Sequence, residues 1–158
     1  MDLTTNSRYC VKWSESYSIG IKTIDDQHKE LLNIVNDLFS HSSGNEMEEL
    51  LYFKEVIHQA VQYVKDHFQS EEKLLLKTKY PGYAEHKKAH DTFTLTVVTS
   101  AKDYQSGKRL VLEKFAYFLR DWILSHIAVM DTDYAAYLRR IATRNADGRL
   151  IVENIDVG

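Results

Sequence analysis

The sequence contains few of the residues that cross-link a chain or form its turns. Its 158 residues contain one cysteine, Cys10, one proline, Pro81, and six glycines. A single cysteine excludes an internal disulfide, a thiolate zinc cage and an all-cysteine iron–sulfur cluster. So few prolines and glycines leave little room for the many turns of an all-β protein. We therefore expect an all-α fold.

Long apolar runs and an excess of basic charge are missing too. No run approaches the roughly 20 apolar residues that span a bilayer, and the N-terminus shows no pattern of an export signal. The net charge is −3, which does not favour nucleic acid or an anionic membrane as a partner. A hydrophobic content of 44% in 158 residues is enough for one domain with one core. These features predict a cytoplasmic protein.

Hydrophobic periodicity predicts four main helices. An apolar stripe begins a first helix after Thr23, and Asn45 with Glu48 resembles a capping pair that opens a second helix, ending near Lys77. Pro81 marks a turn over 78–83, after which helices are predicted over 84–104 and 110–130, with a shorter one over 132–142. Short connections make consecutive helices antiparallel, so the prediction is an up-down-up-down four-helix bundle.

We divide the chain into three parts. Residues 1–22 are predicted to be an N-terminal arm packed on the bundle, residues 23–141 the four-helix bundle with its short C-terminal helix, and residues 142–158 a tail. A turn over 145–148 should lead into an extended stretch. This tail could pack on the bundle, mediate assembly or be disordered, and we favour a peripheral role.

Five of the seven histidines form one series with two carboxylates. The members are His28, His67, Glu71, His86, His90, His126 and Asp131. Residues four apart in an α-helix lie about 40° from each other on one face, so His67 and Glu71 can reach one metal together. The same holds for His86 and His90. Imidazole and carboxylate groups from four helices suit a pair of iron ions, and we interpret the series as a di-iron site inside the bundle.

The last pair requires an irregular helix. His126 and Asp131 are five residues apart, which rotates them by about 140° in a regular α-helix. They meet only if a π-type turn or the helix end falls between them, and such irregularities recur at functional sites. The series therefore predicts a local distortion near residues 128–131.

Other candidate ligands fit simpler roles. His58 lies about 180° around the helix from His67, and His41 suits a helix C-terminus. Glu55-Val-Ile-His58 matches the Glu-x-x-His element of ferritin-like di-iron proteins, but that architecture needs a second copy. Glu72 is turned further from the ligand face than Glu71. A lone zinc ion is disfavoured because seven candidate ligands are too many for one tetrahedron.

At this point the chain resembles the hemerythrin family, specifically its single-domain bacterial form, over roughly residues 13–137. Four stretches carry the resemblance: Gly-Ile-Lys-Thr-Ile-Asp-Asp-Gln-His over 20–28, His-Phe-Gln-Ser-Glu-Glu over 67–72, Tyr-Pro-Gly-Tyr-Ala-Glu-His over 80–86 with His90, and Trp-Ile-Leu-Ser-His-Ile over 122–127 with Asp131. The resemblance implies two non-haem iron ions joined by a bridging oxo or hydroxo group. His86, His90 and His126 would hold one iron, His28 and His67 the other, and Glu71 and Asp131 would bridge them.

This ligand set implies a vacant coordination position. Five imidazoles, two bridging carboxylates and one bridging oxygen would fill all but one of the about twelve positions on two octahedral ions. The vacancy falls on the iron with two histidines and would be the dioxygen site. The apolar residues that match the family's ligand pocket are Phe68, Trp122, Ile123 and Ile127. Outer partners for the imidazole N–H groups could be Gln27, Gln62, Glu85 or Asp121.

The resulting functional hypothesis is reversible dioxygen binding for storage, delivery or sensing, without catalytic turnover. No side chain stands beside the vacancy as an obvious acid or nucleophile. The alternative is a di-iron enzyme, namely an oxidase, a peroxidase or a nitric-oxide-handling protein. We expect a monomer or small homo-oligomer, with an unidentified protein partner as a further possibility.

Overall fold

The chain folds as an antiparallel four-helix bundle in the computed structural model, which describes residues 9–109 and 111–158. The bundle consists of α1 (Lys22–Ser40), α2 (Glu46–Lys77), α3 (Tyr83–Gln105) and α4 (Leu112–His126). A 3₁₀ turn at Glu15–Tyr17 precedes the bundle, and a π-helical turn at Ile127–Asp131 joins α4 to α5 (Thr132–Ile141). Helix α1 packs against α4, and α2 packs against α3. The predicted fold class is confirmed.

Local sequence signals account for the helix ends. Asn45 caps α2 by accepting hydrogen bonds from the backbone N–H groups of Met47 and Glu48, as expected for an N-cap residue. The reciprocal half of the predicted capping pair is absent, because the Glu48 carboxylate accepts from Ser43 instead. Helix α2 ends in a Schellman motif with Lys79 in the left-handed region at φ 56°. The predicted start of the fourth helix, Leu110, lies outside the described residues.

The predicted apolar stripes face the interior. Phe53 of α2, Phe93 of α3 and Phe115 of α4 are almost fully buried. The stripe of α1 is buried at every position named from its periodicity: Ile24, Leu31, Leu32, Val35 and Leu38. Burying an apolar side chain of this size contributes about 1.5–3 kcal/mol, so these contacts stabilise the bundle.

The chain after α5 forms a small antiparallel sheet. Strands β1 (Thr143–Arg144), β2 (Leu150–Val152) and β3 (Ile155–Asp156) lie in the order β1-β2-β3. Glu153 and Asn154 both have positive φ, which is the backbone of a two-residue type I′ hairpin turn. Strand β2 contacts α5, and Val152 and Val157 are buried. The predicted turn over 145–148 is present, whereas the stretch expected to be merely extended is paired into this sheet.

The described part of the arm lies along α1. Val11 exchanges hydrogen bonds with the side chain of Asn36 near the end of that helix, and Ser18 and Ile19 lie at its start. The buried carboxylate of Asp25 accepts hydrogen bonds from Ser18 Oγ at 2.6 Å and from the N–H of Ile19 at 2.9 Å. Arg139 of α5 donates to the carbonyl oxygen of Ile19. The first eight residues of the predicted arm lie outside the described residues, and the division at 22 and 142 stays a prediction.

Within the part of the chain that the structure describes, no helix is both long enough and apolar enough to cross a membrane.

Candidate metal centre

The seven ligand candidates meet inside one end of the bundle. This end collects the start of α1, the end of α2, the start of α3 and the end of α4, because neighbouring helices run antiparallel. All seven side chains are buried, and those of Glu71 and Asp131 are fully enclosed. The structure therefore brings together every residue of the predicted series.

Three imidazoles point their Nε2 atoms at one another. His126 Nε2 lies 3.0 Å from His90 Nε2 and 3.2 Å from His86 Nε2. Glu71 Oε2 lies 3.3 Å from His90 Nε2 and 3.5 Å from His86 Nε2. The potential donor atoms of these four residues all lie within 4.8 Å of one another. They form one group that could hold a metal ion, which we call the three-histidine half.

A second group contains His28, His67 and Glu71, whose donor atoms also lie within 4.8 Å of one another. Its two imidazole rings are edge to face, with centroids 4.9 Å apart. Glu71 Oε1 lies 3.8 Å from His28 Nε2, and Glu71 Oε2 lies 3.8 Å from His67 Nε2. We call this group the two-histidine half. Glu71 belongs to both halves.

Asp131 also faces both halves. Its Oδ2 lies 3.2 Å from His28 Nε2, while its Oδ1 lies 3.1 Å from His126 Nε2 and 3.4 Å from His86 Nε2. The predicted helix distortion is confirmed, because the π-helical turn Ile127–Asp131 begins directly after His126. This wider turn brings the Asp131 carboxylate to the same side of the helix as the His126 ring.

The donor set fits a pair of cations. Six buried side-chain atoms of the described residues have no hydrogen-bond partner, and all six belong to candidate ligands: His28 Nδ1 and Nε2, His86 Nδ1, Glu71 Oε2, and Asp131 Oδ1 and Oδ2. Buried polar atoms are normally satisfied, and a cation bound among these side chains would satisfy the carboxylate oxygens and His28 Nε2. Adjacent ligands about 2.1 Å from an octahedral ion lie about 3.0 Å apart. His126 Nε2 lies at a similar distance from His90 Nε2, 3.0 Å, and from His86 Nε2, 3.2 Å.

Two outer partners determine which ring nitrogen carries the proton. His67 Nδ1 lies 2.8 Å from Gln27 Oε1, and His90 Nδ1 lies 3.1 Å from Glu72 Oε1. Amide and carboxylate oxygens can only accept, so each Nδ1 carries a proton and each Nε2 presents a lone pair toward the centre. The Nε2 atoms of His67 and His90 are thus oriented as ligands for a cation at the centre.

Of the four predicted outer partners, the structure selects Gln27 alone. Gln62 donates to Asp66, Asp121 accepts from Arg120, and Glu85 is exposed. Sequence reasoning left the choice among the four open, and the hydrogen bonds of the described residues join none of these three to an imidazole ring. Glu72, which sequence reasoning treated only as a weaker rival of Glu71, is the acceptor for His90.

Sequence reasoning missed Tyr134. This fully buried residue of α5 donates a 2.6 Å hydrogen bond to Glu71 Oε1. It follows Asp131 by three positions, so helical periodicity could have placed it on the same face. The pattern did not say that this face turns toward α2, since that depends on how α5 leaves the π-helical turn.

In the metal-free site, burial and the neighbouring charges shift the pKa values of the candidate ligands. Burial disfavours a charged ring at His28, but the Asp131 and Glu71 carboxylates outweigh it and raise the pKa of His28 to about 9. Burial lowers the pKa of His67 to about 4. Burial also opposes ionisation of Glu71 and Asp131, yet the surrounding imidazoles hold the pKa of each carboxyl below its usual value. Two ionised carboxylates in a buried site are a strong attraction for metal cations.

Aromatic rings pack against the histidines of the three-histidine half. The Phe68 ring stacks on His90 with centroids 3.7 Å apart, and the Trp122 ring stacks on His126 at 4.4 Å. Phe68, Ile123 and Ile127 are buried, whereas Trp122 is half-buried. The predicted pocket residues lie on α2, on α4 and at the first position of the π-helical turn, and the structure places Phe68 and Trp122 against ligand rings of the three-histidine half.

The two remaining histidines lie apart from this centre. His58 is exposed on α2. His41 is exposed at the C-terminal end of α1, where its ring stacks on Tyr52 with centroids 3.7 Å apart. Both positions agree with the expectation that these residues are not ligands.

Comparison with known proteins agrees with this geometry. The family model described as Hemerythrin HHE cation binding domain matches residues 19–138. The bacteriohemerythrin of Stenotrophomonas maltophilia is 31% identical over 140 residues, covering 86% of this chain and 89% of that protein. The bacteriohemerythrin of Methylococcus capsulatus is 31% identical over 122 residues, covering 77% and 91%.

A solved structure of wild-type hemerythrin superimposes with a TM-score of 0.70 at 29% sequence identity, covering 78% of this chain and 94% of that one. The matched family model includes all seven residues of the candidate centre, since they lie between His28 and Asp131. The fold, the buried histidine–carboxylate cluster and the extent of the match lead to one conclusion: the chain belongs to the hemerythrin family.

Proposed function

We propose that this protein binds dioxygen reversibly at a non-haem di-iron centre held by His28, His67, Glu71, His86, His90, His126 and Asp131. The observation that carries the proposal is the unequal pair of buried ligand groups that share Glu71, with three imidazoles in one and two in the other. The bacteriohemerythrin names of the relatives support the same reading.

Two adjacent ions account for the donor set better than one. A lone zinc ion takes about four ligands, whereas the carboxylates of Glu71 and Asp131 each face imidazoles of both halves. With a pair of ions bound, both oxygens of each carboxylate would have a cation nearby, and no anion would be left unpaired in the core. Imidazole with carboxylate is also the donor mixture found at non-haem iron.

The unequal number of histidines in the two halves supports binding of a small ligand. The two-histidine half has fewer protein donors, so a coordination position is left there for dioxygen. Two ferrous ions, when bound, would supply the two electrons that dioxygen takes up. The protein's own task is to hold the donors in place and to keep bulk water away from the centre as a whole. We assign the exclusion of water to Phe68, Trp122, Ile123 and Ile127, of which Phe68 and Trp122 cover rings of the three-histidine half.

The side chains around the centre favour binding over turnover. The buried hydroxyl of Tyr134 is engaged with Glu71, and burial together with the Glu71 charge raises its pKa well above the usual value. It is therefore a poor proton donor to a bound ligand. The Nδ1 groups of His67 and His90 are likewise engaged, by Gln27 and Glu72.

The test is spectroscopic. Protein loaded with ferrous iron under argon should hold two ions per chain, change its visible absorption on addition of dioxygen and recover the first spectrum when the gas is removed. Protein treated with a chelator is the control and should not respond. A loaded protein without an oxygen-dependent change would contradict the proposal, and multiple turnover with a reductant would favour a di-iron oxidase, peroxidase or nitric-oxide-handling enzyme.

The same proposal covers the wider role of the chain. We propose a protein that stores, delivers or senses dioxygen as a monomer or small homo-oligomer, with the bundle over 23–141 as the binding unit. In this division the arm over 1–22 and the tail over 142–158 are peripheral parts packed on the bundle. Burial of Val152 and Val157 supports this role for the tail.

A further inference from the structure

The two halves of the candidate centre differ in the charge of their outer partners. In the two-histidine half, the N–H of His67 is accepted by the neutral amide of Gln27 at 2.8 Å. In the three-histidine half, the N–H of His90 is accepted by the carboxylate of Glu72 at 3.1 Å. Both contacts join the Nδ1 of a histidine to a side-chain oxygen, and they differ in the charge of the acceptor.

The Glu72 carboxylate is held in place from its other side. Lys87 Nζ lies 3.5 Å from Glu72 Oε2 and 2.8 Å from Asp91 Oδ1. The Glu72 side chain is only 16% exposed, so both of its oxygens are engaged at the edge of the bundle. This arrangement joins α2 to α3 and orients the carboxylate toward the His90 ring.

An anionic acceptor changes what the ring can offer to a metal. A hydrogen bond to a carboxylate is roughly twice as strong as one to a neutral amide, and it makes the opposite nitrogen a better electron donor. The carboxylate also adds negative charge on the side of His90. Both effects favour a cation in the three-histidine half over one in the two-histidine half.

We propose that Glu72 is a positioning residue that makes the three-histidine half the tighter metal position, so that the two ions load in a fixed order. This inference rests on the proposed di-iron function. The first ion enters the group of His86, His90 and His126, and the second ion completes the two-histidine half. Gln27 holds His67 in the same tautomer without adding charge, which leaves the second position weaker.

The experiment measures ferrous-ion affinity by chelator competition under argon. His28→Ala removes a ring from the two-histidine half and leaves one tight ion per chain. In that background, Glu72→Gln should weaken the affinity for the remaining ion about 10–100-fold, the usual effect of losing an outer partner. Gln27→Glu should change this affinity less than about 3-fold, because Gln27 contacts the other half. A change of less than about 3-fold for Glu72→Gln would overturn the inference.

A charge swap separates this role from a merely structural one. In the unmodified protein, adding His28→Ala should remove the weaker of the two ions. In the double variant Glu72→Gln/Gln27→Glu, adding His28→Ala should remove the tighter ion instead. An unchanged order in the swapped protein would also overturn the inference.

Controls make the outcomes distinct. Asp103→Asn removes a carboxylate of α3 that pairs with Lys108 away from both halves and should leave both affinities unchanged. Thermal unfolding of each metal-free variant shows whether it is folded. If the unmodified protein binds two ions and responds to dioxygen while Glu72→Gln has no effect, only the inference fails. If the unmodified protein binds no pair of ions, the proposed function itself fails.

Discussion

Tyr134 donates a 2.6 Å hydrogen bond to Oε1 of Glu71, a residue 63 positions earlier in the chain. Both side chains are fully buried. The bond ties α5 to α2 and orients the one carboxylate that belongs to both ligand groups. The short helix after the π-helical turn is therefore part of the support of the candidate centre.

Tyr134→Phe tests this support. The substitution removes the hydroxyl and leaves Glu71 Oε1 without its donor, which should destabilise the metal-free protein by about 1–3 kcal/mol. Urea unfolding after chelator treatment measures the change. The matched control is Tyr137→Phe, whose hydroxyl donates to the backbone oxygens of Thr78 and Lys79 at the edge of the bundle. A smaller loss for Tyr134→Phe than for this control would contradict the buried-bond argument.

His126→Ala should abolish stoichiometric iron loading. His126 Nε2 contacts His86 Nε2, His90 Nε2 and Asp131 Oδ1, so its removal opens the three-histidine half and frees the Asp131 carboxylate. Metal analysis after anaerobic loading and desalting provides the measurement. His58→Ala, on the exposed face of α2, is the control and should retain the full metal content. Two ions per chain in the His126 variant would show that the ligand assignment is wrong.

The metal-free protein should be most stable near pH 6.5 and lose stability on both sides. An unfolded histidine titrates near 6.5, whereas the pKa of folded His28 is raised to about 9. Between these values the folded state binds more protons, so stability falls as the pH rises. The pKa of folded His67 is lowered to about 4, so from 6.5 down to 4 the unfolded state binds more protons and stability falls as the pH drops.

Urea midpoints of chelator-treated protein across pH 4 to 9 measure this profile. His28→Gln should flatten the alkaline side, and His67→Gln the acidic side down to about pH 4. His41→Gln, an exposed residue at the end of α1, should leave both sides unchanged. A profile in which stability rises steadily from pH 6.5 to 9 would contradict the assignment to His28.

Phe68→Ala should weaken both the core and the barrier to water. The Phe68 ring is buried and stacks on His90 at 3.7 Å, and truncating such a ring costs about 3–5 kcal/mol. The cavity would also admit water beside the ligand rings, so the iron-loaded protein should oxidise faster in air. Urea unfolding and the decay of the ferrous form measure the two effects. Phe118→Ala, at a ring that is 37% exposed, should show less of both, and equal oxidation rates would refute the barrier role.

Much of the candidate site was predictable because helical geometry is local. The spacing of His67 with Glu71 and of His86 with His90 places each pair on one helix face whatever surrounds it. The five-residue spacing of His126 and Asp131 required an irregular turn, and the structure has a π-helical turn at that point. Asn45 as a helix cap is a local signal of the same kind.

The outer contacts were not predictable in the same way. Gln27 reaches His67 across 40 positions, and Glu72 reaches His90 across 18. Each contact depends on the rotation of one helix against its neighbour, which periodicity within a single helix does not specify. Glu72 was judged only against the ligand face of its own helix, and its actual partner lies on the next one.

The amino-acid sequence by itself determined the four helices, the identity of the seven clustered residues and the need for a distorted turn, because these follow from spacing along one chain segment. Tertiary structure alone decided that Tyr134 faces Glu71, that Glu72 backs His90 and that the last residues pair into a sheet on α5. These contacts join segments far apart in sequence, so they are set by how the helices pack and not by the period of any one of them.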